Sequence, residues 1–127
     1  MESSLNVIRE SDHWVFELNR PDKRNALSEA LIESLITAVD EAHDADIPLL
    51  VFKGAGKNFS AGFDFGGFEE SSEGDLLLRM VRIEMLLQKV AASPSLTVGL
   101  AHGRNFGAGV DLFAACKLRY ATPDATF

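Results

Sequence analysis

Two short apolar runs open the chain. Leu5 to Glu10 and His13 to Asn19 carry Val7, Ile8, Trp14, Val15, Phe16 and Leu18 around the polar pair Ser11-Asp12. Their length and their β-branched and aromatic content predict a β-hairpin. Asn19-Arg20-Pro21-Asp22 reads as a turn, because Pro21 fixes φ and Asp22 can bond nearby backbone. The period then changes. Ser28 is placed as an N-cap, Glu29 suits the positive helix end, and Leu31, Leu35, Ile36, Val39 and Ala42 keep helical spacing to about His43. Pro48 to Phe52 is uniformly apolar, which predicts a strand buried on both faces. A second helix is expected from about Gly74, with the stripe Leu76, Met80, Ile83, Leu87 and Val90, until Ser93-Pro94-Ser95 stops it. Leu96 to Ala101 reads as another buried strand, Val110 to Cys116 as a short apolar helix, and Leu118 to Ala121 as the start of a further strand. Strands alternating with helices predict an α/β fold in one domain without an internal linker.

Composition narrows the partners. The chain has 127 residues, 46% of them hydrophobic and 24% charged, as in a globular domain with a real core. Twelve basic against nineteen acidic residues leave a net charge of −7. That field argues against a nucleic-acid or anionic-membrane surface, so any anionic ligand must be held by local groups. One cysteine, Cys116, excludes an intramolecular disulfide, and it sits in an apolar helix where a core role is expected. No apolar run approaches the ~18 residues of a membrane span. The opening MESSLNVIRE lacks a basic-then-apolar signal pattern, so a reduced, cytoplasmic protein is expected. His13, His43 and His102 lack metal-ligand spacing with a second His or Cys, and no metal site is expected. His102 reads as a packed or loop-bonding residue.

The candidate chemistry lies in glycine-rich loops. Phe59-Ser60-Ala61-Gly62-Phe63-Asp64-Phe65 follows one buried strand, and His102-Gly103-Arg104-Asn105-Phe106-Gly107-Ala108-Gly109-Val110-Asp111 follows another. Open α/β sheets hold ligands at such places. Glycine lets backbone approach a ligand closely, and a helix beginning near Ala108 offers unpaired N–H groups. Together with Asn19-Arg20-Pro21-Asp22-Lys23-Arg24-Asn25-Ala26-Leu27, these stretches resemble the crotonase superfamily, the enoyl-CoA hydratase/isomerase family. Its motifs NRPxxxNAL and FxAGxD occur here, followed in order by the third, NGxxxGGGxE, with His102 at the asparagine, Ala108 at the middle glycine and Asp111, one methylene shorter, at the glutamate. The run Gly109-Val110-Asp111-Leu112 with Ala115-Cys116-Lys117-Leu118-Arg119-Tyr120 is most similar to the dienoyl-CoA isomerase branch, although Lys117 replaces a usual aspartate.

The resemblance implies a crotonase-like spiral of ββα units. The substrate would be an acyl-CoA thioester, with no permanently bound cofactor. The N–H groups of Phe63 and Ala108 would form an oxyanion hole for the thioester oxygen, with Ala108 replacing the middle glycine. Asp111 would be an acid/base on the acyl chain, with an apolar surround of Phe63, Val110 and Leu112 expected around it. An acid in a first helical turn is also stabilising without any catalytic role. Lys23, Arg24 and Ala26 would line the CoA phosphates and pantetheine, and Ala61, Gly62, Asp64, Phe65 and Gly107 would line the adenine, the pantetheine arm and the thioester pocket. Lys23 and Arg24 equally suit a solvated turn. The resemblance further implies that residues 1–127 are the amino-terminal half of a crotonase domain. A second catalytic acid and the contacts of a homotrimer or hexamer would lie in the absent carboxy-terminal half. Two other readings stand beside the enzyme: a homologue that binds acyl-CoA without turnover, and a structural piece that needs a partner segment.

Overall fold

A computed structural model of the chain describes residues 3–127. Its elements run β1 (Leu5–Arg9), β2 (Trp14–Leu18), a 3-10 turn at Pro21–Lys23, α1 (Glu29–Asp44), β3 (Leu49–Gly54), α2 (Glu73–Ala91), β4 (Leu96–Ala101), α3 (Ala108–Ala115) and β5 (Leu118–Ala121). The predicted hairpin is present: β1 pairs antiparallel with β2, matching Leu5 to Leu18 and Arg9 to Trp14. Each later strand joins in parallel, β2 to β3, β3 to β4 and β4 to β5. Spatial order therefore equals chain order. Each crossover advances the sheet by one strand in the same direction, which winds the chain as a spiral.

The helix starts follow their capping residues. Ser28 Oγ accepts from the Leu31 N–H, and Ser72 Oγ accepts from the Asp75 N–H. On α1, Leu31, Ile32, Leu35, Ala38, Val39 and Ala42 are buried. They meet one face of the sheet, where Phe16, Leu18, Leu50 and Phe52 are fully buried. The Phe16 and Phe52 rings lie 5.1 Å apart at neighbouring strand positions. Burying a side chain of this size stabilises by about 1.5–3 kcal/mol, so this layer anchors the fold.

Two expectations need correction. The strands at β3 and β4 are not buried on both faces: their residues alternate between buried and more exposed. The helices cover one face, and the apolar row Ile8, Val15, Val51, Val98 and Leu118 runs across all five strands on the other. The buried stripe of α2 is also different. It consists of Arg79, Ile83, Leu86 and Val90, while Met80 is exposed. The helix is rotated so that a cation, rather than a methionine, faces inward.

Candidate active site

The three resembling motifs, far apart in sequence, become neighbours. The stretch after β3 lies in the middle. On one side the Leu27 N–H donates to Gly62 O at 2.7 Å, and the Ala61 N–H donates to Arg24 O at 2.9 Å. On the other side the Phe106 N–H donates to Ser60 O at 3.2 Å. Short bridges at Leu27–Phe63 and Arg104–Thr126 mark this as a second, smaller layer.

Three buried asparagines hold the layer together. Asn105 Oδ1 accepts from the Phe59 and Ser60 N–H groups, both at 3.0 Å. Its amide nitrogen donates to the carbonyls of His102, Gly103 and Thr126. Asn25 Nδ2 donates to Ala55 O and Asn58 O, while its own backbone sits at φ 57°. Asn58 Nδ2 donates to Arg24 O at 3.0 Å and Arg104 O at 3.1 Å. Sequence reasoning missed this network. The available signal was an asparagine in or beside each of the three loops, a residue that tolerates left-handed backbone and supplies donors and an acceptor at once.

Gly62 is the point where two loops touch. Its φ is +91°, and a Cβ there would lie 2.6 Å from Phe106 O and 3.3 Å from the Ala108 nitrogen. The peptide leading into Phe63 and the start of α3 are therefore in contact. Gly107 caps α3 at φ 53°, and the Asp111 N–H donates back to Gly107 O at 3.1 Å. Neither the Phe63 nor the Ala108 N–H meets a hydrogen-bond acceptor among the described residues. Two free amide donors in touching loops can bond an oxygen that gains negative charge.

The residues beyond Gly62 are clamped. Arg20 donates to Asp64 Oδ2 at 3.0 Å and to Ala26 O at 2.6 Å. Arg79 donates to Asp64 O at 2.6 Å, and its guanidinium carbon lies 4.4 Å from the centre of the Phe63 ring. Burial pushes the Asp64 carboxyl up, but the Gly66 amide, the Arg20 guanidinium and the charge of Arg79 outweigh it and hold the group below the usual carboxylate range. Nothing in the sequence marked Arg20 or Arg79 as partners of this loop, because both pairings are long-range.

The other candidate residues are placed as follows. Ala26 and Ala61 are half-buried in the layer, Phe65 is exposed and packs edge-on against Phe63 at 5.0 Å, and the side chains of Lys23 and Arg24 are exposed. Arg24 lies in the left-handed region at φ 54°. Asp111 differs from expectation. It is exposed, while Leu112 on the same helix is turned into the core, so the described residues do not give it the expected apolar surround. His102 bonds a loop as expected, with Nε2 2.8 Å from Gly56 O. Cys116 is buried and its thiol is pushed up to about 12 by that burial. At Lys117 it is the backbone N–H that makes the local polar contact, to Thr97 Oγ1 at 2.9 Å.

A cavity of about 650 Å³ borders the same layer, with Pro21, Arg24, Lys57, Asn58, Arg104 and Phe106 among its walls. Of the residues singled out from the sequence as candidates, only Arg24 lines it. Among the described residues, no helix is long and apolar enough to cross a membrane.

This α/β spiral is the fold of a known family. The family model for enoyl-CoA hydratase/isomerase matches residues 11–127, and the chain belongs to that family. A crystal structure of a candidate enoyl-CoA hydratase/isomerase from Bordetella parapertussis is 68% identical, with a TM-score of 0.97, covering 98% of this chain and 52% of that one. The crystal structure of an enoyl-CoA hydratase from Mycobacterium smegmatis is 30% identical, with a TM-score of 0.92, covering 98% of this chain and 49% of that one. The mitochondrial Delta(3,5)-Delta(2,4)-dienoyl-CoA isomerase of Homo sapiens is 31% identical over 137 residues, covering 98% of this chain and 42% of the relative. The chain thus spans about half the length of the relatives it matches.

Proposed function

We propose that this chain binds an acyl-CoA thioester and stabilises its enolate, as part of a hydratase or isomerase of the crotonase type. The observation that supports this reading is the contact at Gly62, which brings the loop leading into Phe63 against the start of α3, where neither the Phe63 nor the Ala108 N–H meets an acceptor among the described residues. A thioester oxygen accepting from both is favoured as it takes on enolate charge, and losing one such donor typically costs on the order of 100- to 1000-fold in rate. Asp111, in the first turn of α3, is the group that moves a proton at the acyl chain. Lys23, Arg24, Ala26, Ala61, Asp64, Phe65 and Gly107 line the path of the coenzyme arm. Residues 1–127 are read as the amino-terminal part of a longer crotonase domain that works in the cytoplasm on fatty acyl-CoA. The relatives' greater length supports a second acid, and trimer or hexamer contacts, in the other half.

The exposure of Asp111 favours a second reading, a homologue that holds acyl-CoA without turning it over. One pair of variants separates them. In the full-length parent, Asp111→Asn keeps size and should lower kcat by about 100-fold or more with acyl-CoA affinity retained, the range of general acid–base work. Gly62→Ala strains the backbone and drives the two loops apart, and should weaken binding itself. Turnover undiminished in Asp111→Asn, with a lowered melting temperature instead, would make Asp111 structural. Native acyl-CoA binding with no turnover in the full-length parent would favour the binding homologue.

A further inference from the structure

We propose that Arg79, on α2, is a positioning residue that holds the Phe63 amide in the orientation an oxyanion donor needs. This rests on the acyl-CoA reading above and adds to it a side chain from outside the three motifs.

Arg79 is 8% exposed, and among the described residues it is the one buried side chain that carries a charge. It stands on the core-facing stripe of α2 with Ile83, Leu86 and Val90, where an apolar residue would fit the helical period. The carboxylate of its contact residue Asp64 is paired with Arg20 instead. Its Nε is buried without a hydrogen-bond partner, the one such side-chain atom among the described residues. Burying a cation away from a paired anion, and a donor away from an acceptor, is unfavourable. An apolar replacement would remove both costs, so packing of the core does not account for an arginine at this position.

What the guanidinium does contact is a pair of consecutive residues. Its Nη2 donates to Asp64 O at 2.6 Å, and its central carbon lies 4.4 Å from the centre of the Phe63 ring. A guanidinium over an aromatic face is attracted by the ring quadrupole, more strongly when both are out of water. On the other side of Phe63, Gly62 O accepts from the Leu27 N–H at 2.7 Å. That carbonyl and the Phe63 N–H belong to one trans peptide and point in opposite directions. Leu27 therefore holds the donor peptide at its carbonyl end, and Arg79 holds the next two points along the chain, the ring and the following carbonyl. No helix or strand lies between β3 and α2, so regular backbone bonds do not fix this stretch and side chains must. A donor fixed in advance needs no reorganisation as charge develops on the thioester oxygen. Arg79 supplies that fixity to Phe63 from a helix packed on the core.

The test has one readout without ligand and one with it. Arg79→Met keeps a long apolar stem and removes the cation and its donors, and a melting curve checks the fold. In the unliganded chain, nitrogen-15 relaxation should give the native Phe63 amide an order parameter of about 0.85, and Arg79→Met should lower it below about 0.6. With saturating acyl-CoA labelled with carbon-13 at the thioester, the variant should move the bound carbonyl stretch from its native value back toward the solution value. Arg79→Lys keeps a charge and a donor but not the planar fork, and should fall between the two proteins in both readouts. A native Phe63 order parameter in Arg79→Met, or a native stretch in its bound thioester, overturns the proposal. If Arg79→Met does not fold, Arg79→Lys decides: a partial fall in order supports the proposal and a native value overturns it. A native protein that binds no acyl-CoA, or leaves its carbonyl at the solution frequency, counts against the acyl-CoA reading. The unliganded amide then still decides whether Arg79 holds it.

Discussion

Asp64 shows how a single side chain ties the candidate site to stability. Its carboxyl is held low by the Gly66 amide, Arg20 and Arg79, against the opposing push of burial. A group with a depressed folded-state pKa contributes stability above its unfolded value, and that contribution is lost as pH falls through the folded value. The native chain should therefore lose stability on acidification below about pH 4, where an unperturbed aspartate begins to protonate. Asp64→Asn should be less stable at neutral pH, with a shallower loss in that acid window. Urea unfolding at a series of pH values reads both. Parallel curves for the two proteins would show that the clamp adds nothing.

At the level of elements, the second layer depends on side chains more than on regular strands. Asn105 serves both loops, accepting from Phe59 and Ser60 and donating to three carbonyls. Asn105→Ala leaves the buried Ser60 N–H without its acceptor and should cost about 2–4 kcal/mol, read by chemical denaturation. A cost near zero would mean that the loops are held by their backbone bonds alone. This dependence also explains what the sequence revealed. The hairpin, α1, the later strands and the Ser28 cap follow from local period and capping chemistry, and were legible, whereas the Ser72 cap of α2 was not singled out. The two glycine-rich loops and the Asn19–Leu27 turn were legible as loops. The asparagine network, the Arg20 and Arg79 clamps and the cavity around Lys57 were not, because each joins residues separated by long stretches of chain. The rotation of α2, which turns Arg79 inward and Met80 outward, escaped the apolar period for the same reason: its partner is a carbonyl on a distant loop.

For the whole molecule, the uncovered side of the sheet is the main consequence of the architecture. The row Ile8, Val15, Val51, Val98 and Leu118 spans every strand, with Leu100 and Tyr120 paired beside it. Apolar surface of this continuity drives association. The 127-residue chain should sediment with concentration-dependent mass, and Ile8→Lys with Leu118→Lys, at positions 47% and 41% exposed, should reduce that dependence. A monomer at every concentration would show that this face needs no cover, and would weaken the reading of the chain as part of a larger domain.

The central claim is that the amides of Phe63 and Ala108 polarise a thioester. Its most direct test is the carbonyl stretch of an acyl-CoA labelled with carbon-13 at the thioester, measured by isotope-edited difference spectroscopy in the bound state. Two converging donors should shift the stretch to lower frequency than in water, and Gly62→Ala, at whatever ligand concentration saturates it, should return it toward the solution value. A bound thioester that keeps its solution frequency in the native protein would contradict the account.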